Sequence, residues 1–193
     1  MKKQQERSQT GFSAIETLVA VAIIFIVLAM AMIKWTTILP NAKANSAMDQ
    51  LLYRLRTARE QAIAHRREVQ VQFVGTNQLT ISELWVTGTP PAPLTYTFEG
   101  GAQYMLFTSS PAVPDTPMGF GNGAAIYFEN ASGGPPIMKF TTNGAFIDGN
   151  NNYVNGTAFL GITGSPLTAR AVTILGATGR VREYHWDGTQ WQE

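Results

Sequence analysis

Apolar residues run without interruption through one stretch near the start of the chain. From Leu18 to Ile33 there is no polar side chain. As a helix, the wider apolar segment 12–33 spans about 33 Å, which matches the roughly 30 Å hydrocarbon core of a bilayer. Lys2, Lys3 and Arg7 precede it. The pattern predicts a membrane-spanning helix whose basic end is cytoplasmic and whose continuation lies across the membrane.

A different periodicity governs residues 34–67. Apolar residues recur there at spacings of three and four, which predicts an amphipathic helix. The apolar stripe consists of Met48, Leu51, Leu52, Leu55, Ala58, Ala62 and Ile63. Pro40 predicts a kink or a short unwinding near Leu39. We therefore expect one long helix from about Phe12 to His65, whose second half lies against a globular domain.

The period changes to two at Glu68, where residues 68–193 begin to read as strands and turns. Apolar and polar residues alternate in 69–73 and again in 79–82, on either side of a Gly75 turn, which predicts a β-hairpin. The other strand-like segments are Leu94–Phe98, Ala125–Phe128, Ile137–Phe140, Ala158–Ile162, Ala171–Leu175 and Arg180–Trp186. The expected fold class is α+β, with a long N-terminal helix packed on an antiparallel β-sheet or sandwich.

The amino-acid composition excludes several classes of functional site. Charged residues make up 14 % of the chain, the formal net charge is +1 and there is no cysteine. This balance argues against a protein that coats nucleic acid, and it excludes disulfides and thiol nucleophiles. The two histidines lie far apart in the sequence, and no nucleophile motif accompanies either of them. We expect no enzyme activity, no cofactor and no metal site.

Glu16 stands at the front of the apolar segment, where a carboxylate is costly. The surrounding residues 11–16 read GFSAIE after a short basic leader. This segment resembles the class III signal of type IV pilins and type II secretion pseudopilins. The resemblance implies that a prepilin peptidase removes leader residues 1–11 by cutting between Gly11 and Phe12, and methylates the new N-terminus at Phe12.

The resemblance also implies an assembly role for Glu16, whose carboxylate would pair with the Phe12 amine of a neighbouring subunit in a filament core. A plainer alternative is that Glu16 caps the first helical turn and has no partner. Two other interpretations of the apolar segment stay open: a permanent anchor, and a secretory signal peptide with a distant cleavage site at residues 42–44.

Three further segments indicate which subgroup of pilins the chain resembles. Residues 58–66 (AREQAIAHR) precede a strand, residues 140–144 (FTTNG) end one, and residues 172–182 form a late hairpin. Together they resemble FimT/GspH-type minor pilins. This implies a subunit held in the bacterial inner membrane with a periplasmic globular domain, and then in a pilus or pseudopilus. Its partners would be other pilins or pseudopilins and the prepilin peptidase.

The last strand holds the other candidate site. Alternation places Arg180, Arg182, Tyr184 and Trp186 on one face. Arginines beside aromatic rings can bind phosphates and stack bases, and residues 179–182 (GRVR) resemble the G-R-x-R motif implicated in DNA binding by FimT-type pilins. The structural alternative is that the aromatic rings face the core and the arginine stems cover its rim.

Three functions remain open. The first is a structural minor pilin or pseudopilin, and the second is a pilus-borne DNA-binding subunit that uses Arg180 and Arg182. The third is a membrane-anchored periplasmic domain that never polymerises and therefore keeps residues 1–11. The type of filament and the role of residues 84–136 do not follow from the sequence.

Overall fold

The computed structural model describes residues 13–85, 87–107, 111, 113, 120–121, 123–129 and 137–193, with the backbone alone described for 31–37. The chain divides into two compact units, Met1–Leu39 and Pro40–Glu193. Gly11 and Phe12, the two residues of the predicted cleavage site, lie outside the described residues.

A single α-helix, α1, runs from Ala14 to His65 over 52 residues. It agrees with the helix predicted for about 12–65, and it contains Pro40 without a break in helical structure. The unwinding predicted near Leu39 is therefore wrong. Proline removes one helical hydrogen bond and crowds the carbonyl four residues before it, and in this helix the turns that follow Pro40 pack in the core. Among the described residues, no helix combines the length and the hydropathy needed to cross a membrane.

The described residues of the second unit form eleven strands in two antiparallel sheets. The first sheet has the order β3-β2-β1-β6-β7, and the second has the order β11-β10-β9-β8-β4 with β5 also paired to β8. The strands are β1 Val69–Val74, β2 Gln78–Glu83, β3 Leu94–Thr97, β4 Gln103–Tyr104, β5 Ile126–Phe128, β6 Met138–Phe140, β7 Phe146–Ile147, β8 Gly156–Ile162, β9 Ser165–Leu175, β10 Arg180–Trp186 and β11 Trp191–Gln192.

The main core joins the second half of α1 to both sheets. Of the predicted stripe, Met48, Leu51 and Leu55 are buried in it, whereas Ile63 is 42 % exposed. A second, smaller cluster covers the other face of the second sheet. It contains Val113, Phe159, Ala169, Ala171, Tyr184, Trp186 and Trp191. The second sheet is therefore apolar on both faces, which explains why residues 156–161 of β8 and residues 168–174 of β9 are buried without interruption.

The α+β fold class is confirmed, because α1 shares one core with antiparallel sheets. The predicted strands occur, with β9 starting six residues earlier than expected, at Ser165. β4 and β7 were not predicted. Each has only two residues, so neither leaves a periodic signal. β4 forms by pairing with β8, which is remote in sequence, and β7 forms by pairing with β6 across a short turn.

Candidate functional site

Glu16 closes the first turn of α1. The backbone N–H of Ser13 donates to Glu16 Oε2 at 2.9 Å, and the backbone N–H of Glu16 donates to Ser13 Oγ at 3.3 Å. This reciprocal pair is a capping box, which satisfies two backbone donors that the helix cannot satisfy itself. The sequence interpretation included a capping role for Glu16 but overlooked Ser13, although the S-x-x-E spacing signals it. The assembly role of Glu16 remains a prediction.

The large apolar side chains between Ile15 and Met30, at the start of α1, are exposed. All eleven large apolar residues from Ile15 to Met30 are at least 49 % exposed, and Ile15, Leu18 and Phe25 exceed 66 %. Monomeric soluble proteins rarely expose a continuous apolar surface of this extent. The surface surrounds the helix on every side, so its natural cover is a medium or a set of partners that encloses the helix.

β10 has the alternation that the sequence predicted. Arg180, Arg182 and Tyr184 pair with Leu175, Thr173 and Ala171 of β9 and share one face of the sheet. Tyr184 and Trp186 are buried in the second core cluster, so their rings pack against the sheet and do not face solvent. Arg182 Nη1 contacts Glu193 Oε2 at 3.1 Å.

Two turns and α1 meet at Arg59, a contact that sequence reasoning did not predict. Arg59 Nε donates to the carbonyl oxygens of Gly144 and Thr178, each at 3.1 Å. Gly144 lies in the turn between β6 and β7, and Thr178 lies in the turn between β9 and β10. Gly179 has a φ of 61°, and a Cβ there would collide with the Gly144 carbonyl oxygen and approach the Arg59 side chain. The glycine of the GRVR segment therefore has a structural role.

A pocket of about 440 Å³ opens beside this junction. The helix contributes Arg56, Arg59 and Glu60, and the turn and the start of β10 contribute residues 178–181. Arg56 Nη2 also donates to the carbonyl oxygen of Val181 at 3.3 Å. Backbone carbonyls thus hold the side chains of Arg56 and Arg59 in place. Together with Arg180 and Glu60, these two residues supply the charged groups that line the pocket.

A buried arginine joins α1 to the second sheet. Arg170 is 5 % exposed, and its Nε and Nη2 donate to the side-chain oxygens of Asn45 and Asn41 at 2.7 and 3.2 Å. His185 pairs with Arg170 in the sheet register. Burial, and then the nearby Arg170 charge, lower the pKa of His185, while Glu183 and Asp49 oppose this shift. The neutral imidazole is therefore favoured.

The basic end of α1 is largely paired. Arg67 lies over the Trp85 ring at 3.8 Å and contacts Glu83 at 3.4 Å, and Glu83 also contacts His65 at 3.1 Å. Among the described residues, no group of three or more His, Asp or Glu side chains could hold a metal ion.

The chain is similar in structure to a minor pilin and to a minor pseudopilin. It aligns with the type IV minor pilin FimU of Pseudomonas aeruginosa in one crystal form with a TM-score of 0.48 and 18 % identity, covering 79 % of this chain and 94 % of that one. A second crystal form of FimU aligns with a TM-score of 0.45 and 19 % sequence identity. This alignment covers 72 % of this chain and 90 % of FimU. The minor pseudopilin EpsH of the Vibrio cholerae type 2 secretion system aligns with a TM-score of 0.45 and 16 % sequence identity. This alignment covers 74 % of this chain and 97 % of EpsH. No family model and no curated protein sequence matches the chain.

Proposed function

We propose that the chain is a structural minor subunit of a type IV pilus or a type II secretion pseudopilus. It is synthesised with leader residues 1–11, held in the inner membrane by segment 12–33 with its N-terminus cytoplasmic and its globular domain periplasmic, and cut after Gly11. The observation that carries the proposal is the GFSAIE segment at the start of a helix whose described apolar side chains are exposed all round.

The exposed helix supports assembly because its surface is costly to leave in water. Exposed apolar area costs about 25 cal/mol per Å², and eleven large apolar residues contribute to this surface. Packing against the same segment of other subunits covers every side of the helix, as a filament core does. The globular unit from Pro40 onward has its own core and does not need this surface for folding.

The assembly role of Glu16 follows from the same proposal. A carboxylate enclosed by apolar helices requires a positively charged partner. The N-terminal amine created at Phe12 is a partner of that kind, and it exists only after the cut. Within its own chain Glu16 bonds one backbone N–H through Oε2, and a carboxylate can accept further hydrogen bonds from a neighbouring subunit.

Mass spectrometry of the native protein tests the cut. In cells with an active prepilin peptidase we expect a chain that begins at N-methylated Phe12, and in peptidase-deficient cells we expect the uncut chain. Retention of residues 1–11 in both backgrounds would overturn the proposal and favour an anchored domain that never polymerises.

Three variants separate the two roles of Glu16. Glu16→Gln retains a capping side chain but removes the charge, Ser13→Ala removes half of the cap but retains the charge, and Glu16→Ala removes both. We expect all three to be cut, and both Glu16 variants to be depleted from sheared filaments while Ser13→Ala is incorporated. Normal incorporation of Glu16→Gln would restrict Glu16 to the cap.

A second candidate function is DNA binding by Arg180 and Arg182. The observation that favours it is that both arginines project from the same face of β10. Because Tyr184 and Trp186 are buried, this binding would use the phosphate backbone and would weaken steeply with salt. The test compares duplex binding by the wild type, by Arg180→Ala/Arg182→Ala and by the control Arg66→Ala. Equal binding by all three would remove this candidate.

A further inference from the structure

Backbone carbonyls hold two arginine side chains of α1 in fixed positions. Arg59 Nε donates to the carbonyl oxygens of Gly144 and Thr178, each at 3.1 Å. Arg56 Nη2 donates to the carbonyl oxygen of Val181 at 3.3 Å. A long side chain loses much rotamer freedom when it is fixed. Because these contacts already form in the free protein, both guanidinium groups are preorganised for a ligand.

The charges of these two guanidinium groups are not compensated by the carbonyls, which are neutral. Within the described part of the chain, neither Arg56 nor Arg59 forms an ion pair with a carboxylate, whereas Arg182 contacts Glu193 at 3.1 Å. Arginine has five N–H donors, and the carbonyl contacts occupy one of them in each side chain. Both arginines therefore retain charge and donors for an anion.

The pocket that these arginines line is large enough for a small molecule. Its volume is about 440 Å³, within the range of roughly 300–1,000 Å³ that is typical of small-ligand sites. Arg56 and Arg59 are three positions apart in α1, and side chains at this spacing are neighbours on a helix surface. One anionic group can therefore contact both arginines and leave room in the pocket for an attached organic part.

The number of available donors favours phosphate over carboxylate as the anionic group. A carboxylate has two oxygens, and a single guanidinium group can occupy both of them with parallel hydrogen bonds. A terminal phosphate has three acceptor oxygens and nearly two negative charges at pH 7, so it can accept hydrogen bonds from Arg56 and Arg59 together. The carboxylate of Glu60 also lines the pocket, but Glu60 is exposed, so solvent and salt screen its charge.

We propose that this pocket binds a terminal phosphate group, either as inorganic phosphate or as the monoester of a small molecule. Arg56 and Arg59 donate hydrogen bonds to the phosphate oxygens. Arg180 borders the pocket and is not needed for these contacts. The site differs from the candidate DNA surface in its residues and in its ligand, because each phosphodiester of DNA carries a single negative charge.

The test uses the full-length chain in micelles of an uncharged detergent and follows the arginine Nε–H signals by NMR. The probes are inorganic phosphate, ribose 5-phosphate, dimethyl phosphate and acetate at equal ionic strength. We expect saturable shifts of the Arg56 and Arg59 signals with the first two probes, and at least about tenfold weaker binding of the last two. Tighter binding of ribose 5-phosphate than of inorganic phosphate would identify a monoester as the ligand, and equal or weaker binding would identify phosphate itself.

Variants locate the site. Arg56→Gln is expected to weaken the binding of ribose 5-phosphate at least about tenfold, and Arg56→Lys, which retains the charge without the planar fork, weakens it even if the first variant fails to fold. The control Arg66→Gln makes the same change at an exposed residue outside the pocket and binds as the wild type does.

Four outcomes overturn the proposal. They are shifts that do not saturate with either phosphate or ribose 5-phosphate, equal affinity for dimethyl phosphate, and binding that neither Arg56 variant weakens. The fourth is binding of a DNA duplex by a protein that binds neither inorganic phosphate nor ribose 5-phosphate.

Discussion

Arg59 links three elements through one side chain. Its Nε bonds the turn of each sheet at 3.1 Å, and its stem belongs to the helix that carries the main core. The turns come so close together that Gly179 has no room for a side chain. A change at any of these residues therefore affects the placement of the helix on both sheets, and with it the shape of the pocket beside β10.

Gly179→Ala is expected to destabilise the protein by about 2–4 kcal/mol, because it combines a strained positive φ with overpacking against the Gly144 carbonyl. The measurement is chemical denaturation followed by tryptophan fluorescence. Gly149→Ala is the matched control, since a Cβ at Gly149 has no neighbour within 4 Å, and we expect a change below about 0.5 kcal/mol. Equal effects of the two substitutions would contradict the close packing at Gly179.

His185 makes stability depend on pH. Its pKa in the folded protein lies below 6.5, so the unfolded chain binds the proton more tightly. The stabilising contribution is present above about pH 6.5 and is lost as the pH falls toward the folded-state value. We expect His185→Gln to reduce the loss of unfolding free energy between about pH 7 and pH 5, measured by urea titrations. An unchanged slope would exclude His185 as its source.

Sequence reasoning succeeded where a residue's role depends on near neighbours. The alternation of β10 placed Arg180, Arg182 and Tyr184 on one face, as the register shows, because the period of a strand is a local property. It could not show that Gly179 meets Gly144 or that Arg59 bonds both turns. The two bonds of Arg59 join residues 85 and 119 positions apart, and no local pattern encodes them.

At the scale of elements, the C-terminal hairpin of β10 and β11 depends on its turn. Asp187 Oδ1 accepts hydrogen bonds from the backbone N–H groups of Thr189 and Gln190 at 2.7 and 2.8 Å. An Asp-Gly pair such as Asp187-Gly188 is typical of a tight turn, and the Trp186–Trp191 pairing shows that the chain reverses there. β11 in turn forms part of the second core cluster through Trp191, so the turn influences how well that cluster is closed.

Acid should loosen this hairpin. Backbone hydrogen bonds from Gln190 and Thr189 lower the pKa of Asp187 from 3.8 to about 2. The carboxylate therefore stabilises the turn above about pH 3.8, and this contribution is lost as the pH falls toward 2. We expect the Trp191 indole NMR signal to shift across that range. Asp187→Ala should give the loosened signal already at neutral pH, and a wild-type signal in that variant would contradict the role of the turn.

At the scale of the whole molecule, the two units differ in how their apolar residues are covered. The described members of both core clusters lie between Ala47 and Trp191, whereas the large apolar residues from Ile15 to Met30 are exposed. The second unit therefore has the buried side chains of a self-sufficient domain. The described large apolar residues of the first unit belong to neither cluster, and under the proposed function they form the surface that packs into a filament.

Deletion of residues 1–39 tests this division. Because neither core cluster loses a residue, we expect the remaining chain to unfold cooperatively with a free energy within about 1 kcal/mol of the full-length value, while it no longer enters filaments. Deletion of residues 1–55 is the contrasting variant. It removes Met48, Leu51 and Leu55, each worth about 2–5 kcal/mol when truncated to alanine, which together exceed the stability of many domains. We expect no cooperative transition in that variant. Loss of cooperative unfolding after the shorter deletion would show that the exposed helix is needed for folding as well as for assembly.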